Sequence, residues 1–511
     1  MLSRVKSAAI IGIDSIIVEV EVDLARGLPS FDIVGLPDAA VRESRERVRA
    51  AIKNSGFDFP IQRITINLAP GDIKKIGPHF DLAIAAGILD TCSLFSTEID
   101  NYLFAGELSL TGDIRKIKGV LPMALKAREK GLKGIVVPVD NYKEASLIDG
   151  IEVIPVRKLT NLINFFNDGK RISDLKNKTA VIISKKKLYD IDFSEVKGQE
   201  EAKRAMVIAA AGSHNLLMVG PPGSGKTMLA KRMRTILPPL TEDEALELTR
   251  IYSIMGLLKP GQGLMKERPF RTPHHSISTS GLVGGGHIPE PGEISLAHYG
   301  TLFLDELPEF QRNVLEMLRQ PMEEGEISIV RSTMSAIFPA RFMLIAAMNP
   351  CPCGYYGDDR HECTCSGPQI NKYRAKISGP LLDRIDIQIE VPAISVDELT
   401  RKVGRGMSSV EMRKKVIEAH NVQMERYKNE GFNFNSSLSG KALQEYCPVE
   451  NDGLNLLKSA IERLGLSARA YDRILKLART IADLDRSEVL KIDHIAEAVQ
   501  YRSLDRRMDF N

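Results

Sequence analysis

The sequence predicts an α/β chain of two or three domains, on three observations. An apolar stretch at 215–219 runs directly into a glycine-rich loop and then a helical pattern. A second apolar stretch, Thr301–Leu304, ends in the adjacent carboxylates Asp305 and Glu306. The first 168 residues show strand-like and helix-like periods of their own. At 511 residues the chain is too long for one hydrophobic core.

Residues 1–168 read as a mixed α/β domain. Strands are expected at 16–22, 63–68 and 134–137, with a charged-faced helix over Ala39–Asn54 and a buried helix over 81–90. A turn-rich hairpin follows at 106–119, then a helix at 123–130. Residues 169–191 read as a basic linker: between positions 170 and 187, Lys170, Arg171, Lys176, Lys178, Lys185, Lys186 and Lys187 crowd around a single acid, Asp174. Such a run is either a solvated connector or a contact for a phosphate backbone. Residues 192–395 form a second α/β unit opening with a helix at 199–211. Residues 396–511 are mainly helical, at 409–430, 441–446, 453–464, 467–484 and 492–504, and make a lid-like domain.

Composition is that of globular protein, with 43% apolar residues, 39 Gly and 26 Pro. A net charge of +3 neither demands nor excludes a nucleic-acid partner. No secretory signal is visible, and no apolar run reaches the roughly 20 residues of a membrane span, so a cytoplasmic protein is expected. Six cysteines in so long a chain are not a disulfide framework.

Gly220-Pro221-Pro222-Gly223-Ser224-Gly225-Lys226-Thr227 has the spacing of a phosphate-binding loop, placed between a strand and a helix. Its glycines permit a turn whose amides face phosphate oxygens, and the following helix adds its positive end. Lys226 is assigned to the β- and γ-phosphates and Thr227 to Mg2+, with Met228 next to the loop completing the nucleotide set. Asp305 is assigned to Mg2+ and Glu306 to the attacking water, so ATP is the expected substrate. A third strand at 342–347 leads to Asn349, which either orients that water or turns the chain before Pro350. Arg384 suits a neighbour's phosphate or an ion pair with Asp386. Arg469 and Arg473 share a helix face, for the γ-phosphate or for local acids.

These residues resemble the AAA+ ATPases of the magnesium-chelatase-like branch. Residues 220–227 match the Walker A motif and 302–306 the Walker B motif. Asn349 matches sensor 1, Arg384 the arginine finger and Arg469 sensor 2. Pro273-His274-His275-Ser276 and the glycine run 281–286 resemble the helix-2 insert, and the run is expected to be a mobile loop. Residues 326–331 resemble one arm of the hairpin before sensor 1. Thr111-Gly112-Asp113, Val120-Leu121-Pro122 and Lys75-Ile76-Gly77-Pro78-His79 resemble the Lon protease catalytic domain, of the ribosomal S5 domain 2-like class. His79 stands where the nucleophilic serine is expected and Lys126 is no obvious substitute for the catalytic lysine, so no peptidase is expected. The resemblance implies a homo-oligomeric, hexameric ring with DNA helicase and branch-migration activity in natural transformation and recombination, with recombination proteins as partners. Protein remodelling and metal insertion into porphyrins are the alternatives.

Cys351-Pro352-Cys353 and Cys363-Thr364-Cys365 make a CxC–x9–CxC pattern suited to tetrahedral Zn2+. Reduced thiols on a compact loop and a redox disulfide are the other readings, with His361 as a reserve ligand.

Overall fold

The computed structural model describes residues 2–172, 189–259, 261–331, 334–393, 406–464 and 467–502. Most of the basic linker, with Asp174, Lys176, Lys178 and Lys185 to Lys187, lies outside the described residues, as do the end of the helix expected at 492–504 and the start of the lid-like domain at 396–405. The chain divides into two compact units. The first gathers Met1–Ser184, Glu242–Lys266 and Val330–Phe338; the second gathers Lys185–Thr241, Glu267–Ile329 and Pro339–Asn511. The contiguous block 192–395 therefore contributes two stretches to the first unit.

The first unit is built on a seven-stranded sheet in the order Ser30–Val34, Arg63–Ala69, Asp14–Ala25, Leu2–Ile11, Tyr102–Phe104, Gly134–Pro138 and Glu152–Val156. Leu2–Ile11 and Asp14–Ala25 pair antiparallel, as do Asp14–Ala25 and Arg63–Ala69. The remaining neighbours run parallel. The helix Ala39–Asn54 is capped by Asp38, whose side chain accepts from the Val41 amide at 2.8 Å. Its buried residues Val41, Ser44, Val48, Ala51 and Ile52 recur every three or four positions, the period of one helix face. The helix Asp81–Thr91 is buried on nearly every side because its sequence is apolar all round. The helix expected at 123–130 spans Val120–Glu129 instead. Pro122 falls in its first turn, where a missing amide donor costs no helical hydrogen bond.

The stretch Glu242–Lys266 is fastened into this unit by polar bonds. Ser253 Oγ donates to the buried Glu144 carboxylate, and Lys116 Nζ donates to Leu258 O at 2.8 Å. Arg250 pairs with Asp14.

The second unit carries a five-stranded sheet, ordered Phe270–Arg271, Thr301–Leu304, Met343–Met348, Leu216–Val219 and Ile387–Glu390. Every pairing in it is parallel. The central strands are buried residue by residue, as a sheet covered on both faces requires. The helices Glu200–Gly212, Ser409–Arg426, Ala468–Leu484 and Ile492–Gln500 share one apolar core with the sheet. Apart from the two large sheets, the described residues form the short ladders Glu326–Val330 with Ser335–Pro339, and Gly284–Gly285 with Glu290–Pro291. The second corrects the mobile loop expected over 281–286. Gly284 and Gly285 pair with Pro291 and Glu290, and a Cβ on Gly284 would lie 2.4 Å from Glu290 O. Close backbone approach accounts for glycine there. Among the described residues no helix is long and apolar enough to cross a membrane.

Candidate nucleotide-binding site

Three neighbouring parallel strands deliver the candidate residues to one edge of the sheet. Val219 ends the strand Leu216–Val219 and leads into the glycine-rich loop; Leu304 ends the next strand but one and leads into Asp305 and Glu306; Met348 ends the strand between them and leads into Asn349. Ligands of open parallel sheets bind at these carboxyl ends.

The loop holds its shape through glycine. Gly223 and Gly225 have φ of 78° and 91°, and a Cβ on Gly220 would lie 2.1 Å from Val391 O. Lys226 opens the helix Lys226–Arg232 and is buried. Its Nζ donates to Gly220 O at 2.7 Å and Pro221 O at 2.9 Å, and lies 3.4 Å from Ser224 Oγ and 3.3 Å from Asn349 Oδ1. All four partners are neutral oxygens. Burial lowers the Lys226 pKa, and only the Asp305 charge opposes it. A buried ammonium bonded only to neutral oxygens, behind a loop of left-handed glycines, fits the anionic phosphates of a nucleotide.

Thr227 Oγ1 donates to Asp305 Oδ2 at 2.6 Å. This bond joins the two residues assigned to Mg2+, and the hydroxyl and carboxylate are the hard oxygen donors such an ion takes. Glu306 turns away from its neighbour, with φ of 53°. Its amide donates to Asp305 Oδ1 at 3.0 Å, while its own side chain is 59% exposed. His275 Nδ1 lies 3.5 Å from Glu306 Oε2. In the sequence His275 stands out only as part of the segment that resembles the helix-2 insert, and nothing there pairs it with Glu306. The pairing has a topological cause: Phe270–Arg271 runs parallel to Thr301–Leu304, so the residues after Arg271 emerge beside those after Leu304.

Arg384, Arg469 and Arg473 gather elsewhere. Arg384 is buried, ion-paired with Glu323, and donates to Pro380 O at 2.6 Å; its Nε has no hydrogen-bond partner among the described residues. Asp386 is not its partner, as one sequence reading had it. Arg473 Nη1 reaches Asp386 Oδ1 at 2.6 Å, and His214 Nδ1 lies 3.4 Å from Oδ2. Burial pushes Asp386 up, but Arg473 and His214 outweigh it and hold the carboxyl below its usual range. The Arg384 hydrogen bond lowers the Glu323 pKa, with smaller help from the charges of Arg469 and Arg473. Asn215, just before the strand Leu216–Val219, donates to Arg384 O at 3.0 Å and takes the Asp386 carboxylate on its amide at 3.1 Å. Arg384 and Asp386 thus lie at the amino ends of strands whose carboxyl ends carry the loop. Four strand residues separate the two edges, about 10 Å or more. Arg384 is bonded at the edge away from its own chain's phosphate loop, and the exposed Arg469 acts on Glu323 at that same side.

The four clustered cysteines converge. Their sulfurs all lie within 4.8 Å of one another, with Cys351–Cys353 at 3.3 Å, Cys353–Cys363 at 3.6 Å and Cys351–Cys363 at 3.7 Å. All four are free thiols. His361 is not among them; it stacks on Tyr355 with ring centres 4.7 Å apart. In the first unit His79 is buried, with Nε2 at 2.9 Å from Ala8 O, and burial lowers its pKa to about 4. Lys75 is buried on Pro70 O, and Lys126 pairs with Glu129 at 2.6 Å. No hydroxyl nucleophile stands at position 79.

The magnesium chelatase subunit ChlI family matches residues 192–399, its ChlI domain residues 20–141, and its C-terminal domain residues 406–502. Competence protein ComM of Haemophilus influenzae is 44% identical over 507 residues, 98% of each chain. The chain belongs to the ChlI family. Another relative, YifB of Escherichia coli, is 42% identical over 506 residues, 99% of this chain and 98% of that one. Lon protease 2 of Bacillus subtilis is 30% identical over 163 residues, 29% of each chain. As a ChlI-family protein the chain has the α/β fold expected of it: an AAA+ core with a helical lid, behind a mixed α/β, Lon-like first part.

Proposed function

We propose that this chain is an ATP-hydrolysing ring motor acting on DNA, a branch-migration helicase of natural transformation and homologous recombination. One observation carries the ATPase reading: Lys226, Thr227, Asp305, Glu306 and Asn349 converge at one sheet edge. The loop 220–227 binds the phosphates, with Lys226 on the β and γ groups. Thr227 and Asp305 would hold Mg2+, which when bound neutralises charge on the transferring phosphate. Glu306 takes the proton of the attacking water, and Asn349 orients it. Arg384 and Arg469, displaced from their own loop, serve the site of the next subunit in a hexameric ring. Cys351, Cys353, Cys363 and Cys365 take a structural Zn2+. The DNA reading is supported by the relative named as a competence protein and by the two-stranded hairpin Glu326–Val330 and Ser335–Pro339, in which exposed residues alternate with buried ones, a shape suited to a ring's pore.

ATPase and branch-migration assays on a four-way DNA junction test it. Branched DNA should raise the ATPase rate several-fold, with DNA affinity falling steeply as salt rises. Glu306→Gln should still bind ATP but not migrate the junction. An ATPase indifferent to DNA and stimulated by a protein client would favour remodelling instead, and capture of a porphyrin-binding partner would favour metal insertion.

A further inference from the structure

The cysteine cluster is not a separate appendage of the second unit. The strand Met343–Met348 leads through Asn349 and Pro350 straight into Cys351. The turn Cys351-Pro352-Cys353-Gly354 closes on itself, with the Gly354 amide donating to Cys351 O at 3.0 Å. Gly354 has φ of 90°, and a Cβ there would fall 2.6 Å from Pro222 Cδ and 2.7 Å from Pro222 Cγ. Pro222 is the third residue of the phosphate loop. The residue following the second cysteine is therefore pressed on the loop that grips the nucleotide. Arg374 ties the other side of the turn, donating from Nε to Pro350 O at 3.1 Å and stacking on Tyr356 at 5.2 Å.

The sulfur spacing suits one metal. With Zn–S near 2.3 Å, the edge of a tetrahedral four-sulfur site is about 3.8 Å. The three Sγ–Sγ separations of 3.3, 3.7 and 3.6 Å approach that edge. The fourth thiol, Cys365, accepts from the Cys353 amide at 3.3 Å, the kind of outer hydrogen bond that orients a thiolate ligand. Four sulfur ligands leave no open position for substrate, so the site is structural.

We propose that Zn2+ held by Cys351, Cys353, Cys363 and Cys365 braces the phosphate loop through the Gly354–Pro222 contact, so that metal occupancy sets nucleotide affinity. Without the metal the two CxC turns lose their common anchor, Gly354 is no longer held against Pro222, and the loop's amides lose their fixed aim at the phosphates. Asn349, two residues before Cys351, loses its anchor with them. This rests on the nucleotide-site reading given above.

The test uses the full-length protein. Metal analysis should find one zinc per chain. Titration with a fluorescent ADP analogue should show affinity falling at least tenfold after removal of zinc by a chelator under reducing conditions, and recovering when zinc is returned. Recovery separates loss of the brace from irreversible unfolding. Gly354→Ala should keep its zinc yet bind the analogue several-fold more weakly. Stripped protein that binds within twofold of the loaded form would overturn the proposal, as would Gly354→Ala with zinc retained and affinity unchanged. Failure of the zinc-loaded wild type to bind any nucleotide would overturn the nucleotide reading itself, and the brace with it.

Discussion

Asp305 and Glu306 are adjacent in sequence, yet the structure turns them to different surroundings. Asp305 stays on the strand's line and accepts from Thr227, while Glu306 enters the left-handed region and opens toward solvent and His275. A carboxylate so freed suits proton transfer from water. Glu306→Gln should therefore cut the hydrolysis rate on the order of 10²- to 10⁴-fold and leave ATP binding intact, as read by phosphate release and nucleotide titration. A loss smaller than tenfold would move the general base elsewhere. Lys226, Thr227, Asp305 and Glu306 were legible in the sequence because strand, loop spacing and residue type all lie within short stretches. The His275–Glu306 pairing was not, because it arises only when two strands 30 residues apart become sheet neighbours. Arg384 was legible as a residue but its partner was not: Asp386 is nearer in sequence, but Arg473 and His214 occupy it.

At the scale of the elements, apolar period placed most strands and helices within a few residues. Ala39–Asn54 and Thr301–Leu304 were read with the bounds they have. The errors came where glycine or proline has more than one use. Pro122 was read as lying before a helix and sits inside its first turn; the glycines at 284 and 285 were read as mobile and form a ladder. The turn Pro78–Phe80 shows what replaced a nucleophile. His79 there packs on Phe80 with ring centres 4.2 Å apart, and its pKa of about 4 reflects burial, opposed by the Ala8 hydrogen bond and the Asp38 charge. Since an unfolded histidine titrates near 6.5, the unfolded chain binds the proton first as pH falls. Stability from this group is complete above about pH 6.5 and declines toward pH 4, on the order of 3 kcal/mol by pH 4. His420, also lowered to about 4 by burial and then by Arg268, acts with the same sign in the second unit. Circular-dichroism melts should show midpoints falling between pH 7 and 5, with His79→Gln flattening part of that slope. An unchanged slope in the variant would mean that His79 titrates alike in the folded and unfolded chain.

At the scale of the whole molecule, the phosphate-loop edge and the arginine edge of the second unit lie at opposite ends of the sheet. A single chain holds Arg384 on Glu323, at the sheet edge away from its own phosphate loop. If the ring places that edge against the neighbour's loop, two defective variants should complement. Lys226→Ala and Arg384→Ala, each inactive alone, should regain a clear fraction of ATPase activity when mixed and assembled, because mixed interfaces unite an intact loop with an intact arginine. No recovery in mixed assemblies would place Arg384 in a structural role beside Glu323. Assembly itself was not legible from spacing and came through the family resemblance, since one chain's pattern does not show which faces meet.

The most direct measurement is a titration of the full-length protein with a fluorescent ATP analogue and Mg2+, alongside Lys226→Ala. The wild type should saturate with one nucleotide per chain, and the variant should bind at least about tenfold more weakly, having lost the Lys226 ammonium buried beneath the loop. Equal binding by the two proteins, or none by the wild type at millimolar nucleotide, would contradict the assignment of residues 220–227 as the phosphate cradle.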